Sequence, residues 1–188
     1  KRAAESGFSV VSGGAKGVDQ AAMLAALEME GDVVGVLADG LLRATTSRQY
    51  RAHLAQNNLL LITPFSPEAG FNAGNAMQRN KYIYCLSDAS VVVHSGHPET
   101  SKNGKGGGTW TGAMENLKKA WVPLWVKPST DNKSGNAAIV DAGAYWLPEQ
   151  FTDLEIGSLL QESEAHSALI TRDIFASVEN TVDDEEIE

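Results

Sequence analysis

Val10-Val11-Ser12-Gly13-Gly14-Ala15-Lys16-Gly17-Val18-Asp19, the run VVSGGAKGVD, decides how this chain is read. An apolar stretch beginning at Phe8 reads as a buried strand. It breaks into a loop carrying Gly13, Gly14 and Gly17, and Asp19 opens an alanine-rich helix. A strand, a glycine turn and a helix start in that order form an anion-binding corner. The glycines let main-chain N–H groups approach a ligand, and the first helical turn leaves unpaired donors with partial positive charge. Lys16 adds a full charge inside the loop. The run is neither the G-x-x-x-x-G-K-[ST] phosphate loop nor the G-x-G-x-x-G dinucleotide fingerprint. The same residues would equally make a plain tight turn, with Asp19 as the helix cap.

Outward from that corner, strands and helices alternate. Lys1 to Ser6 reads as the end of a helix closed by Gly7, then Phe8 to Ser12 as a strand and Asp19 to Glu30 as a helix stopped by Gly31. Strands are expected at 33–37, 59–63, 89–94 and 122–126. Helices are expected from Ser47, as cap, to Gln56, then over 75–86, 109–119 and 137–142. Continuous apolar strands joined through helices predict an α/β domain, a Rossmann-like three-layer sandwich with a mostly parallel sheet. Ligands in such sheets gather at the carboxyl ends of the strands. That architecture would normally place a strand ahead of the first helix, so a first strand missing from this chain is expected.

The chain has 188 residues and a formal net charge of −9, unevenly distributed. Residues 149–188 hold twelve acidic side chains against Arg172 alone, whereas residues 1–148 hold fourteen basic and twelve acidic ones. Two regions are therefore expected: a nearly neutral domain over 1–148 and an acidic C-terminal tail over 149–188, partly helical or disordered, available to a protein partner or to self-inhibition. A single cysteine, Cys85, excludes an intramolecular disulfide and suits a reducing compartment. No run of about 18 apolar residues is present to span a membrane. The cytoplasm is the expected location.

Besides the Ser12–Asp19 corner, two constellations can carry chemistry. Gln78-Arg79-Asn80-Lys81 places two cations and an amide near a helix start, a set able to hold a phosphate through charge-assisted hydrogen bonds. The stretch Lys102 to Glu115 contains Lys105, Gly106, Gly107, Gly108 and Thr109, with Thr111 opening a helix, and forms a second donor-rich corner. A solvated helix face and a flexible lid are the plainer readings of these two. The four histidines form no ligand cluster with one another or with Cys85, so no metal is expected, and nothing calls for a cofactor. Cys85 reads as a core residue. Of the four tryptophans, Trp110 alone sits in a polar, glycine-rich setting where it could stack a base.

Several blocks together carry a resemblance: SGGAKGVD (12–19), AALEMEG (25–31), VVGVLADGL (33–41), NNLLLITPF (57–65), QRNKYIYCLSDASVVV (78–93) and GNAAIVDAGAYWLP (135–148). In order and spacing over residues 1–148 they resemble the DprA/Smf family, the DNA-processing protein A family of Rossmann-like domains. That group belongs with the lysine-decarboxylase-like cytokinin-activating enzymes. The resemblance implies that the glycine corner and basic helix start bind phosphates of single-stranded DNA, and that the protein mediates recombination by passing DNA to RecA. It also implies a homodimer. Ser12, Gly13, Gly14, Lys16, Gly17 and Asp19 match the family's S-G-x-A-x-G-I-D loop. Arg79 and Asn80 match its R-N-R-I-I-A helix start, with Lys81 at the second arginine. Met23 stands where the family usually has histidine, and Thr45-Thr46-Ser47 replaces a usual Tyr-Pro pair. GKGGGTWTGAME (104–115) resembles instead the P-G-G-x-G-T-x-x-E loop of the cytokinin-activating enzymes. These departures fit a divergent member, from a mobile element or a defence locus.

Two functions follow. In the favoured one, a single DNA strand lies across both glycine corners, fixed by Lys16, Arg79, Lys81 and Lys105, with Arg43, Arg48 and Arg51 extending the track. In the alternative, the site binds a nucleotide or nucleotide-derived ligand, or hydrolyses a nucleoside monophosphate at its N-glycosidic bond, with Glu115 and Asp19 as acid and base.

Overall fold

The computed structural model describes residues 1–101, 104, 106–149 and 156–160. Helix α1 (Arg2–Glu5) precedes strand β1 (Val10–Ser12), and α2 (Val18–Leu27) follows the glycine loop. Strand β2 (Val33–Val36), short helices α3 (Leu41–Thr45) and α4 (Arg51–Ala55), and β3 (Leu59–Ile62) complete the first half. The second half holds α5 (Ala73–Cys85), β4 (Ser90–Val92), α6 (Gly107–Lys119), β5 (Leu124–Val126), α7 (Asn136–Asp141) and β6 (Tyr145–Trp146). Residues 156–160 are helical. The rest of the expected acidic tail lies outside the described residues, save 149. No described helix is long and apolar enough to cross a membrane.

Every strand pair is parallel, as alternation with helices requires. Among the described residues the strands form two three-stranded sheets, ordered β1-β2-β3 and β4-β5-β6, rather than one continuous sheet. In the first, Val10, Val33 and Leu59 stand in one row. Met23, Leu27, Val33, Leu37, Leu59 and Leu61 fill the core beneath it. In the second, Val92 pairs with Val126, and these pack with Tyr84, Ala113, Leu124 and Ile139.

Three local expectations change. Ser47 caps no helix; it lies between α3 and α4, and its main-chain N–H donates to the Ala44 carbonyl at 3.1 Å. Helix α5 starts two residues earlier than expected because Asn72 caps it, accepting from the Asn75 N–H at 2.7 Å. The Gln78–Lys81 cluster is thus mid-helix. Cys85 is exposed at the last turn of α5 while its neighbour Tyr84 is buried in the second core. Successive helical residues point about 100° apart, which puts the two on different faces.

Candidate nucleic-acid interface

The glycine corner has the expected local build. Ser12 and Gly13 are buried at the carboxyl end of β1, Lys16 and Gly17 are exposed, and Gly17 stands at the N-cap of α2. No side chain caps that helix, and within its first turn the Gln20 N–H donates to the Ala15 carbonyl at 3.1 Å. Asp19 lies in the first turn, two residues beyond the cap, so it is not the cap itself. Met23 is fully buried beneath the loop, near Gly14. A methionine fits that apolar pocket without the polar partner a histidine would need.

Arg79 departs from the expected surface cation. It is only 4% exposed, and its Nη1 donates to the carbonyls of Gly13, just past β1, and Val36, the last residue of β2. A Cβ at position 13 would collide with the guanidinium, so glycine is required for this close approach. Burial pushes the Arg79 pKa down, and the charges of Asp19 and Asp39 push it partly back. The side chain is therefore a staple that fixes the corner from α5. Its neighbour Asn80 reaches the other way: Nδ2 donates to the Gly108 carbonyl at 3.1 Å, in the first turn of α6.

That second corner starts further upstream than Thr111. Helix α6 begins at Gly107, with Gly106 at the N-cap in a left-handed conformation and no side-chain cap. Gly107 and Thr109 are exposed and Gly108 half-buried. Lys105 lies outside the described residues. Lys81 is exposed, its Nζ 5.0 Å from the centre of the Tyr82 ring. Arg43, Arg48 and Arg51 are exposed as well. Trp110 is half-buried: it packs against Gly106 and Gly135 and meets His97 edge-on at 5.3 Å. Glu115 is half-buried on α6, where its charge acts on the Tyr84 phenol, whereas Asp19 acts on Arg79. Among the described residues no group of three His, Cys, Asp or Glu side chains could hold a metal.

Sequence reasoning missed Asn136. It is buried at the start of α7, where Oδ1 accepts from the Ser95 N–H at 2.9 Å and Nδ2 donates to the carbonyls of Val93 and Lys127. The segment GNAAIVDAGAYWLP holds this residue, but its partners are the chain just past β4 and β5, and no local pattern names them.

A parallel α/β domain with glycine-lined helix starts beside its strand ends is of the Rossmann-like kind that carries ligands on that edge. The chain belongs to the DNA recombination-mediator protein A family, which residues 1–156 match. A DNA processing protein DprA of Mycobacterium tuberculosis is 35% identical over 94 residues, 50% of this chain and 24% of that protein. The chain thus spans about a quarter of that relative. DNA processing protein A of Streptococcus pneumoniae superposes with a TM-score of 0.61 at 18% identity, covering 78% of this chain and 50% of that one. The Helicobacter pylori protein, whose structure was described for its single-stranded DNA binding mode, gives 0.65 at 24%, covering 85% and 69%.

Proposed function

We propose that this domain binds single-stranded DNA through its phosphates, across the helix starts of α2 and α6, as part of DNA processing and recombination mediation. One observation carries the reading. Adjacent residues of α5, Arg79 and Asn80, bond to the carbonyls of Gly13 and Gly108, so one helix ties the strand end that leads into the first glycine corner to the first turn of α6. Phosphate oxygens suit the N–H groups of helix starts that no side chain caps. Lys16 and Lys81, both exposed, supply mobile charge, and Arg43, Arg48 and Arg51 continue it. The family match and the DNA binding of the Helicobacter pylori protein agree with this assignment. In this reading the acidic segment 149–188 would repel DNA and meets a protein partner instead. The working form is a homodimer in the cytoplasm, in keeping with the single cysteine.

The test is a salt titration of binding to a fluorescent single strand. For single strands the slope of log K against log salt changes by about 0.7 for each phosphate the protein neutralises. Lys16→Ala combined with Lys81→Ala is expected to weaken binding at low salt and to reduce the slope by about 1.4. An unchanged slope would remove both lysines from the interface.

A further inference from the structure

Helix α3 and the loops that follow β2 and β3 line an open cavity of about 440 Å³, within the usual size of small-ligand sites. Asp39, Leu42, Arg43, Glu68 and Phe71 are among its lining residues. Its walls are tied together: the Gly40 N–H donates to the Ala69 carbonyl at 2.7 Å, and the Leu42 N–H to the Pro67 carbonyl at 3.2 Å. A Cβ on Gly40 would strike the Pro67 carbonyl, so the two loops approach as closely as a glycine permits. Yet the apolar groups at this place are not used to seal the fold. Phe71 is 68% exposed and Leu42 60%.

An exposed phenyl ring beside an aliphatic side chain is a platform for a flat apolar partner, because stacking removes both faces from water. The charges select among flat partners. Asp39 and Glu68 repel phosphate, which leaves Arg43 as the lining cation able to hold one. Carboxylates do accept hydrogen bonds from the N–H edges of bases. Guanine presents a ring N–H and an amino group side by side, matching the two oxygens of one carboxylate. Thymine presents one N–H between two carbonyls, which a carboxylate repels. The cavity also adjoins the glycine corner: Asp39 stands three residues after Val36, whose carbonyl, like that of Gly13, accepts from Arg79.

We propose that this cavity is a base-reading subsite, in which an unstacked guanine lies on Phe71 and Leu42 and gives its N–H edge to Glu68, while Arg43 holds the adjoining phosphate. The subsite rests on the DNA-binding reading and adds base preference to contacts that otherwise read only the backbone.

Two measurements on the full chain test it. Guanosine, which has no phosphate, is added while main-chain amide signals are followed by NMR. Shifts are expected at Gly40, Ala69, Gly70 and Phe71, kept in Lys16→Ala and lost in Phe71→Ala. No shift in the wild type overturns the subsite. In parallel, a short all-thymine strand is compared with the same strand bearing one central guanine. Stacking serves either base, whereas only guanine offers Glu68 two adjacent N–H groups, so the guanine strand is expected to bind about tenfold tighter. Glu68→Gln should lose that preference, and Phe71→Ala should bring both strands to one level. Equal affinity of the two strands for the wild type overturns the subsite and leaves the phosphate reading standing. Failure of both strands to bind overturns the phosphate reading, and the guanosine spectra then decide the subsite.

Discussion

Arg79 carries its charge into the interior, where two main-chain carbonyls replace the water it has lost. Hydrogen bonds from a charged donor contribute roughly 1.5–3 kcal/mol each, and removing the donor also leaves buried acceptors without partners. Arg79→Ala is therefore expected to cost about 3 kcal/mol or more, read as a fall in the urea midpoint. Lys81, two residues on and exposed, has no such partners. Lys81→Ala should leave stability within about 0.5 kcal/mol of the parent. Equal effects of the two substitutions would contradict the division of the cluster into one structural and one surface cation. Loss of DNA binding in Arg79→Ala would follow from a collapsed corner, so Lys16 and Lys81 are the informative positions for testing the proposed phosphate contact.

At the scale of elements, α5 and α7 do the joining that the short strands cannot. Strands of two to four residues offer few ladder hydrogen bonds, so their ends need other partners. Asn136 on α7 supplies three of them, to Ser95, Val93 and Lys127, and so ties the chain leaving β4 to the chain leaving β5. Leucine has a similar volume but no polar atoms, and Asn136→Leu would strand one buried N–H and two carbonyls. The expected loss is about 3 kcal/mol, which lowers the melting temperature by roughly 6–12 °C in a domain of this size. A change of only a degree or two would mean that water replaces the amide there.

For the whole molecule, two cores lie under two separate sheets, each with a buried tyrosine. Burial pushes the phenols of Tyr50 and Tyr84 up, and the charge of Glu115 adds to the effect at Tyr84. An unfolded tyrosine ionises near pH ~10. Above that value the unfolded chain loses protons that the folded one keeps, so stability is complete below about pH 10 and falls as pH rises further. Each tyrosine contributes up to about 1.4 kcal/mol per pH unit in that window. Tyr84→Phe is expected to flatten part of the alkaline fall in the urea midpoint. A parent profile that stays level well past pH ~10 would show that neither phenol is held protonated by the fold.

What can be read along the chain is local chemistry. The VVSGGAKGVD corner, the alternation of strand and helix, and the parallel arrangement follow from apolar runs, glycine turns and helix starts, each encoded within a few neighbouring residues. The resemblance over residues 1–148 rests on the same short blocks. What the tertiary structure alone decided is which side chains those blocks turn inward. Gln78-Arg79-Asn80-Lys81 reads as one charged cluster, yet Arg79 is buried by carbonyls 66 and 43 residues away, while Lys81 faces solvent. Trp110 packs against Gly135, 25 residues on, and Phe71, in the long loop after β3, stays exposed beside a cavity. Burial is a property of the contact partner. When that partner lies dozens of residues distant, no periodicity in the sequence records it, and only the folded chain brings the two together.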